Sequence, residues 1–303
     1  MTRSVPLPKN STGCKAAKLT MTKRWFAIPA KLFQLLRLPA APGSQRSYPQ
    51  LRNAILDIMA EGRRKNIINL LFEADLTLLR HQLPQIEQAS GQRPSLTACI
   101  IHALARTVDK DRSMQSYRLK TNKVVVFDEV DVAVMIEREI DGHTLPVVHI
   151  VRAANRKGLD EIHLEITRAK VAPLGERGPM SNLEQRFFAL PAFLRQPVWF
   201  FIRRNPYLFK QLAGTVGVTS LGMHATGSAV LLPITPMTLT LSIGTIDTKV
   251  VLENGAPVER EIIRMNLGAD HDLVDGAPLM RFAERFRKCL ESGCAPAPLP
   301  SAP

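Results

Sequence analysis

The sequence predicts an α/β chain: a mixed β-sheet covered by helices in a two-layer sandwich, without regular βαβ alternation. Three observations carry this. Several segments place apolar residues at helical spacing. Others alternate with a period of two. Asn254-Gly255 lies between two strand-like runs, and both residues tolerate positive φ, as a tight hairpin requires. The chain has 303 residues, enough for a full hydrophobic core.

The elements follow in order. Leu51, Ala54, Ile55, Ile58 and Met59 have helical spacing, and an extended run covers 67–74. Asp75 is placed to cap the next helix, which carries Leu76, Leu79, Leu83 and Ile86. Ser95 opens another, with Cys99, Ile100, Ala103, Leu104 and Val108. Val130, Val132, Val134 and Ile136 then alternate with Asp131, Ala133 and Met135. A turn at Asp141-Gly142 leads into a strand over 144–151, and a helix runs from about Gly158 to Ala169. Leu239, Leu241 and Ile243 alternate with Thr238, Thr240 and Ser242. The last helix aligns Leu279, Phe282, Ala283, Phe286 and Leu290 on one face and stops near Gly293.

Composition narrows the class. The apolar fraction is 45% and the charged fraction 22%, which excludes wholesale disorder. The net charge of +13 favours anionic partners: a phosphorylated cofactor, an acidic carrier protein, an anionic membrane or nucleic acid. No zinc-finger, helix-turn-helix or single-strand-binding motif accompanies it, so nucleic acid is not expected. The four cysteines (Cys14, Cys99, Cys289, Cys294) lack metal-type spacing and fit a reducing cytoplasm. Cys99 and Cys289 fall in apolar helical patterns and read as small core residues. No apolar stretch is long enough to span a bilayer, and the N-terminus does not resemble a signal peptide. Residues 1–45 are expected to be a basic tail. Within it, Lys23 to Phe26 and Leu32 to Arg37 could form an amphipathic helix, as a packed arm or a membrane contact. Residues 294–303 are Pro-rich and expected to be a disordered tail.

Two segments carry chemistry. Ala269-Asp270-His271-Asp272-Leu273-Val274-Asp275-Gly276 lies between a strand and the last helix. A histidine there can face a cleft, an aspartate four residues later can brace the loop, and a glycine permits a tight turn. Gly214 to Gly222 reads as a short strand ending in Thr219 and Ser220. A hydroxyl at that exit can donate to a developing oxyanion, or bond its own backbone.

In sequence order and separation, this pair of motifs resembles the catalytic domain of dihydrolipoamide acyltransferases of 2-oxoacid dehydrogenase complexes. That family lies within the chloramphenicol acetyltransferase-like superfamily. The likeness spans about 46–293. It includes Arg52-Asn53-Ala54-Ile55 and Ile68 to Asp75. It continues through Val130 to Val134, Thr144 to Val148, Lys157 to Ile162 and Pro233 to Ile246.

The resemblance implies the superfamily's fold and an acyltransferase with no covalent acyl-enzyme, no metal and no tightly bound cofactor. By position, His271 matches the general base that takes a proton from an attacking thiol, hydroxyl or amine. Thr219 matches the oxyanion donor, Asp275 the residue that orients the loop, and Gly276 the turn. Homotrimers with active sites between subunits are implied too. One departure is Asp272, where the family commonly has arginine. It could raise the imidazole pKa, pair with a nearby arginine, or mark a degenerate member.

Neither a lipoyl domain nor a subunit-binding domain is seen before the catalytic region. A stand-alone enzyme is therefore expected. Its co-substrate would be acyl-CoA or an acyl-carrier thioester, its acceptor a small molecule, and an acidic carrier protein a partner. The alternative is the acyltransferase core of a complex that works on lipoyl groups of another chain. Ser220 is a further candidate for co-substrate contact, as are Arg63 and Arg64 of the basic cluster Gly62-Arg63-Arg64-Lys65; the cluster could equally be a solvated turn. Arg52 is expected to be structural, His143, His149 and His163 are expected to be structural or surface residues, and His224, after the second motif, could line the channel near Thr219.

Residues 180–212 form an insertion relative to the family. They hold 8 of the 17 aromatic residues, interleaved with Arg186, Arg195, Arg203, Arg204 and Lys210. Pro191, Pro197 and Pro206 are expected to divide the segment into short pieces. It reads as a packed appendage, a wall for a long acyl chain, or a peripheral membrane contact.

Overall fold

A computed structural model of the chain describes residues 43–44, 52–140, 143–172, 182–220 and 227–293. All but two residues of the N-terminal tail, the C-terminal tail, the Asp141-Gly142 turn, Cys14, Cys294, Gly222 and His224 lie outside the described residues, as does the side chain of His143.

Eight α-helices and eight strands are described. They are α1 (Arg52–Gly62), β1 (Ile67–Asp75), α2 (Thr77–Ser90), α3 (Leu96–Lys110), β2 (Ser116–Lys120), β3 (Lys123–Val126), β4 (Val132–Ile140) and β5 (His143–Val151). There follow α4 (Leu159–Val171), α5 (Asn182–Ala189), α6 (Ala192–Ile202), α7 (Pro206–Ala213), β6 (Val216–Ser220), β7 (Leu239–Glu253), β8 (Ala256–Asp270) and α8 (Gly276–Glu291). One six-stranded sheet has the order β1-β8-β7-β6-β4-β5, and β2-β3 forms a separate hairpin. β6 pairs parallel to both β4 and β7, and the other pairs are antiparallel, so the sheet is mixed as predicted.

Local chemistry sets the elements. Ser95 accepts a hydrogen bond from Ala98 N–H (3.2 Å) and starts α3. Asp75 acts one position earlier than a standard cap: its carboxylate accepts from Thr77 N–H at 2.8 Å. Asn254 and Gly255, with φ of 53° and 82°, close the long β7–β8 hairpin.

The core lies between the sheet and α2, α3, α4 and α8. α3 is buried on nearly all sides, with Cys99 inside it. Leu279, Phe282, Ala283, Phe286 and Leu290 of α8 are all buried, and the Phe286 ring meets Phe72 of β1 edge-on at 6.2 Å. Each such phenyl contributes roughly 1.5–3 kcal/mol by leaving water.

Part of the opposite face is covered too. Ala133 of β4 packs there with Tyr117, Phe127, Ile202, Phe209 and Met237. The β2–β3 hairpin and the insertion helices thus add a partial third layer to the two predicted.

Asp131 ties this cover to the sheet. It is 2% exposed and accepts from Ala153 N–H (2.9 Å), Arg152 Nη1 (2.8 Å) and Lys210 Nζ (2.9 Å). Burial pushes this carboxyl upward, but the Ala153 amide and the Lys210 and Arg152 cations outweigh it and hold it below its ordinary value. A lowered carboxyl contributes stability that is full above the unfolded value of about 4 and is lost as pH falls through the folded one. Asp131→Asn should therefore cost about 1.5–3 kcal/mol at pH 7 in urea unfolding. The gap to wild type should close as the pH is lowered through and below 4. A gap that stays constant with pH would remove the charge from this account.

Candidate active site

β8 is paired on both sides up to its last residues: Ile67 of β1 faces Asp270, and Leu239 of β7 faces Ala269. The chain then leaves the sheet at His271. The histidine is exposed and lines an open depression with Lys65, Asn66, Ile67, Ile68 and Asp272.

Three contacts to one corner of the chain fix its position. His271 N–H donates to Asn66 O (2.8 Å), Asn66 Nδ2 donates to Asp272 Oδ1 (2.9 Å), and Lys65 Nζ meets Asp270 Oδ2 (2.6 Å). The Asp270 side chain is 2% exposed, so this is a buried ion pair. Asp270 also holds the turn that follows. Oδ1 accepts from Asp272 N–H (3.3 Å), and the backbone carbonyl accepts from Leu273 and Val274. The Lys65 ammonium lies 5.7 Å from the centre of the Tyr117 ring. Burial pushes the Tyr117 phenol far up, and the Asp270 carboxylate adds to the shift. Tyr117 is a neutral donor, to Thr215 O at 3.0 Å.

Several expectations change here. Asp272 takes the amide of Asn66 as its partner, not an arginine. Asp275 is exposed at the cap position of α8 and makes no side-chain capping bond. The loop is oriented by Asp270 instead. Gly276 is the first residue of α8 with open space where a Cβ would stand and without positive φ, so no tight turn requires it. Sequence reasoning missed Lys65, Asn66 and Asp270 as a unit. The signal available was the basic cluster before β1 and the acid beside the histidine, but their meeting depends on register.

Thr219 and Ser220 end β6 as the motif predicts. Thr219 pairs with Ser242 of β7, which pairs with Asn266 of β8. Asn266 is fully buried. Its amide donates to Asn69 Oδ1 (3.0 Å), and its own Oδ1 has no hydrogen-bond partner among the described residues. Asn266 lies five residues before His271. At strand rise this places Thr219 and His271 about 16 Å apart along the sheet and two strands apart across it. Within one chain they do not meet.

Arg63 and Arg64 sit beside the depression without lining it. Arg63 Nε donates to Met59 O (3.3 Å), and Arg64 lies 3.5 Å from Glu61 at the end of α1. Arg52 opens α1 with its side chain exposed. His163 accepts from Ser95 N–H and His149 contacts Glu165, both structural as expected. Among the described residues, no group of three His, Cys, Asp or Glu side chains is placed to hold a metal.

The insertion forms three helices. Pro191 precedes α6 and Pro206 opens α7, as predicted, but Pro197 lies inside α6 and does not divide it. The segment packs on α1 through Arg195 and Asp57 (2.8 and 3.0 Å), Trp199 Nε1 and Asp57 (2.9 Å), and Arg203 and Glu61 (2.8 Å).

Residues 210–296 match the family model of the 2-oxoacid dehydrogenases acyltransferase (catalytic domain). The resemblance therefore holds over the stretch that contains both motifs. No curated protein matches the chain. The fold is shared with solved structures. A probable dihydrolipoamide acetyltransferase of Listeria monocytogenes superposes with a TM-score of 0.62 at 17% identity, over 84% of this chain and 96% of that one. A catalytic core of a 2-oxoacid dehydrogenase complex from Thermoplasma acidophilum gives 0.60 at 18%, over 82% and 98%. A dihydrolipoamide acetyltransferase of Azotobacter vinelandii, studied for the role of a serine, a histidine and an asparagine in its catalytic mechanism, gives 0.60 at 14%, over 84% and 97%.

Removing one half of the Lys65–Asp270 pair leaves a buried charge uncompensated. Lys65→Met should destabilise the fold by about 3–5 kcal/mol, and Lys65→Met with Asp270→Asn should recover much of that loss. Urea melts of the two single variants and the double variant measure this, and additive losses would show that the pair is not coupled.

Proposed function

We propose that this chain is an acyltransferase that moves an acyl group from a CoA or carrier thioester to a small acceptor. His271 is the general base and Thr219 the oxyanion donor. The observation that carries this is the spacing of the side chains. In the A. vinelandii enzyme the serine stands 52 positions before the histidine, and the asparagine four after it. Here Thr219 stands 52 before His271, and Asp275 four after.

The chemistry needs little else. The imidazole takes the proton of the acceptor thiol, hydroxyl or amine as that atom attacks the thioester carbonyl. The Thr219 hydroxyl donates to the oxygen on which negative charge collects. Collapse breaks the carbon–sulfur bond, and the imidazolium returns the proton to the leaving thiolate. No acyl-enzyme forms in this sequence. Lys65, Asn66 and Asp270 hold the backbone of His271 so that its ring faces the open depression.

The separation of Thr219 and His271 in one chain adds a requirement. Both serve one thioester only where two copies meet, as in a homotrimer, with the histidine of one and the threonine of the next. A lipoyl group on another chain is the second acceptor class to consider, because the solved relatives include dihydrolipoamide acetyltransferases.

Thiol release should be followed from acyl-CoAs of two to sixteen carbons, with thiol, alcohol and amine acceptors and, separately, reduced lipoamide. His271→Ala should reduce release about 10²–10⁴-fold. Thr219→Ala should reduce it about 10²–10³-fold. Co-expressed from two tags, the two inactive chains should regain about a quarter of wild-type activity, because random assembly restores that share of sites. Absence of recovery would place the two residues outside a shared site. Absence of His271-dependent release from CoA, carrier and lipoamide substrates would overturn the enzyme reading.

A further inference from the structure

α6 is built inside out for a helix in water. Arg195, Trp199 and Ile202 form its inward stripe, and the charged group of Arg195, 4% exposed, is turned toward Asp57 of α1. The outward surface carries Phe193, Leu194, Val198, Phe200 and Phe201, all exposed, with Phe193 at 70% and Phe201 at 67%. A soluble helix places its arginine outward and its phenylalanines inward. Leu183 of α5 (78%) and Tyr207 of α7 (57%), on the helices before and after it in sequence, are exposed too.

Charge selects the occupant. Between 182 and 213 the only acid is Glu184, against Arg186, Arg195, Arg203, Arg204 and Lys210. Arg203 and Arg204 follow directly on the apolar run. The Arg204 guanidinium lies 3.9 Å from the Phe200 ring centre and has no carboxylate partner among the described residues. A second copy docked face to face by a twofold axis would bring these cations against their own equivalents; a threefold contact would set the face against a different one, and sedimentation velocity separates that case. An anionic lipid surface offers acyl chains to the aromatics and phosphates to the arginines. α6 has 11 residues, about 16 Å, too short to cross a bilayer but suited to lying along its surface. Among the described residues no helix is long and apolar enough to cross a membrane.

We propose that the outward face of α6, with Arg204 at its edge and Arg186 on the preceding helix, is a docking surface for an anionic membrane. The phenylalanines enter the boundary between headgroups and acyl chains, and the guanidinium groups bind lipid phosphate. The Arg195–Asp57 and Trp199–Asp57 bonds hold the helix on α1 while its apolar side faces the lipid. This holds whether or not the acyl-transfer reading does.

The test is sedimentation of the full chain with vesicles of phosphatidylcholine alone and of phosphatidylcholine with 30% phosphatidylglycerol. The wild type should pellet with the anionic vesicles and be released by high salt. Phe193→Ser with Phe201→Ser should weaken that binding about tenfold or more, given the apolar area each ring removes from water. Arg186→Gln with Arg204→Gln should lower binding to the anionic vesicles without altering the phosphatidylcholine baseline. All four side chains are exposed, so melting temperatures should stay within a few degrees of wild type. Sedimentation velocity supplies the competing outcome. If the serine variant lowers the oligomeric mass, the face joins copies of the chain and the proposal falls. It also falls if the wild type ignores anionic vesicles, or if the serine variant binds them as well as wild type does.

Discussion

The antiparallel ladder between β7 and β8 is the constraint on which the rest of the architecture depends. It begins at the Asn254-Gly255 turn and runs to the Leu239–Ala269 pair, with one shift of register between Ile243 and Ile246. At that shift Gly244 approaches the Ala229 carbonyl so closely that a Cβ would stand 2.4 Å from it, so only glycine fits. β1 builds on one side of the ladder and β6 on the other. The hairpin turn thereby sets which residue ends β8 beside Ile67, and so where the chain releases His271. A slip of one residue would turn Leu267 and Ala269 out of the core and bring Asn266 and Gly268 in. The chemistry of the site is in this sense a consequence of register.

Much of the fold was legible because its signals are local. Period-two alternation marked β4 and β7, the five apolar residues of α8 marked one helical face, and Ser95 marked the start of α3. Two features were less accessible. Thr238, Thr240 and Ser242 alternate with the leucines of β7 as an exposed face would, yet all three are buried. Thr238 Oγ1 donates to Ser116 O at 2.6 Å, and Thr240 bonds Thr235 at 2.8 Å. A polar face hidden by another element looks the same in sequence as one in water. Pro197 also misled: as the sixth residue of α6 it removes one intrahelical donation to the Phe193 carbonyl, yet the helix continues to Ile202, fastened to α1 through Arg195 and Trp199.

In the site, the residue types were legible and the support was not. His271 and Thr219 stand out because their motifs are contiguous. Lys65 and Asn66 are 205 and 206 positions away from their partners Asp270 and Asp272. Only the pairing of β1 with β8 brings them together. Asp272 read as a possible perturber of the histidine's charge, whereas it already has a partner, the Asn66 amide, as Asp270 has the Lys65 ammonium. The insertion shows the same limit. Its aromatic content was evident, but Asp57 and Glu61, which fasten it, lie in a helix that appeared in sequence only as an apolar stripe.

The distance between Thr219 and His271 has a physical consequence for assembly. Both sit at strand ends of one sheet: Thr219 near the end of β6, His271 just past the end of β8. β6 is parallel to β7 and β7 antiparallel to β8, so β6 and β8 run in opposite directions. Their C-terminal ends therefore point to opposite edges of the sheet. Side-chain motion cannot close a gap of this size, and strand sliding would unpair buried ladder bonds and invert the core faces. With Thr219 level with Asn266 inside the ladder and His271 just past its end, the two groups serve one carbonyl, as proposed, only where two copies meet. The parallel placement of β6 between β4 and β7 is thus the feature of the single chain from which the proposed shared site follows.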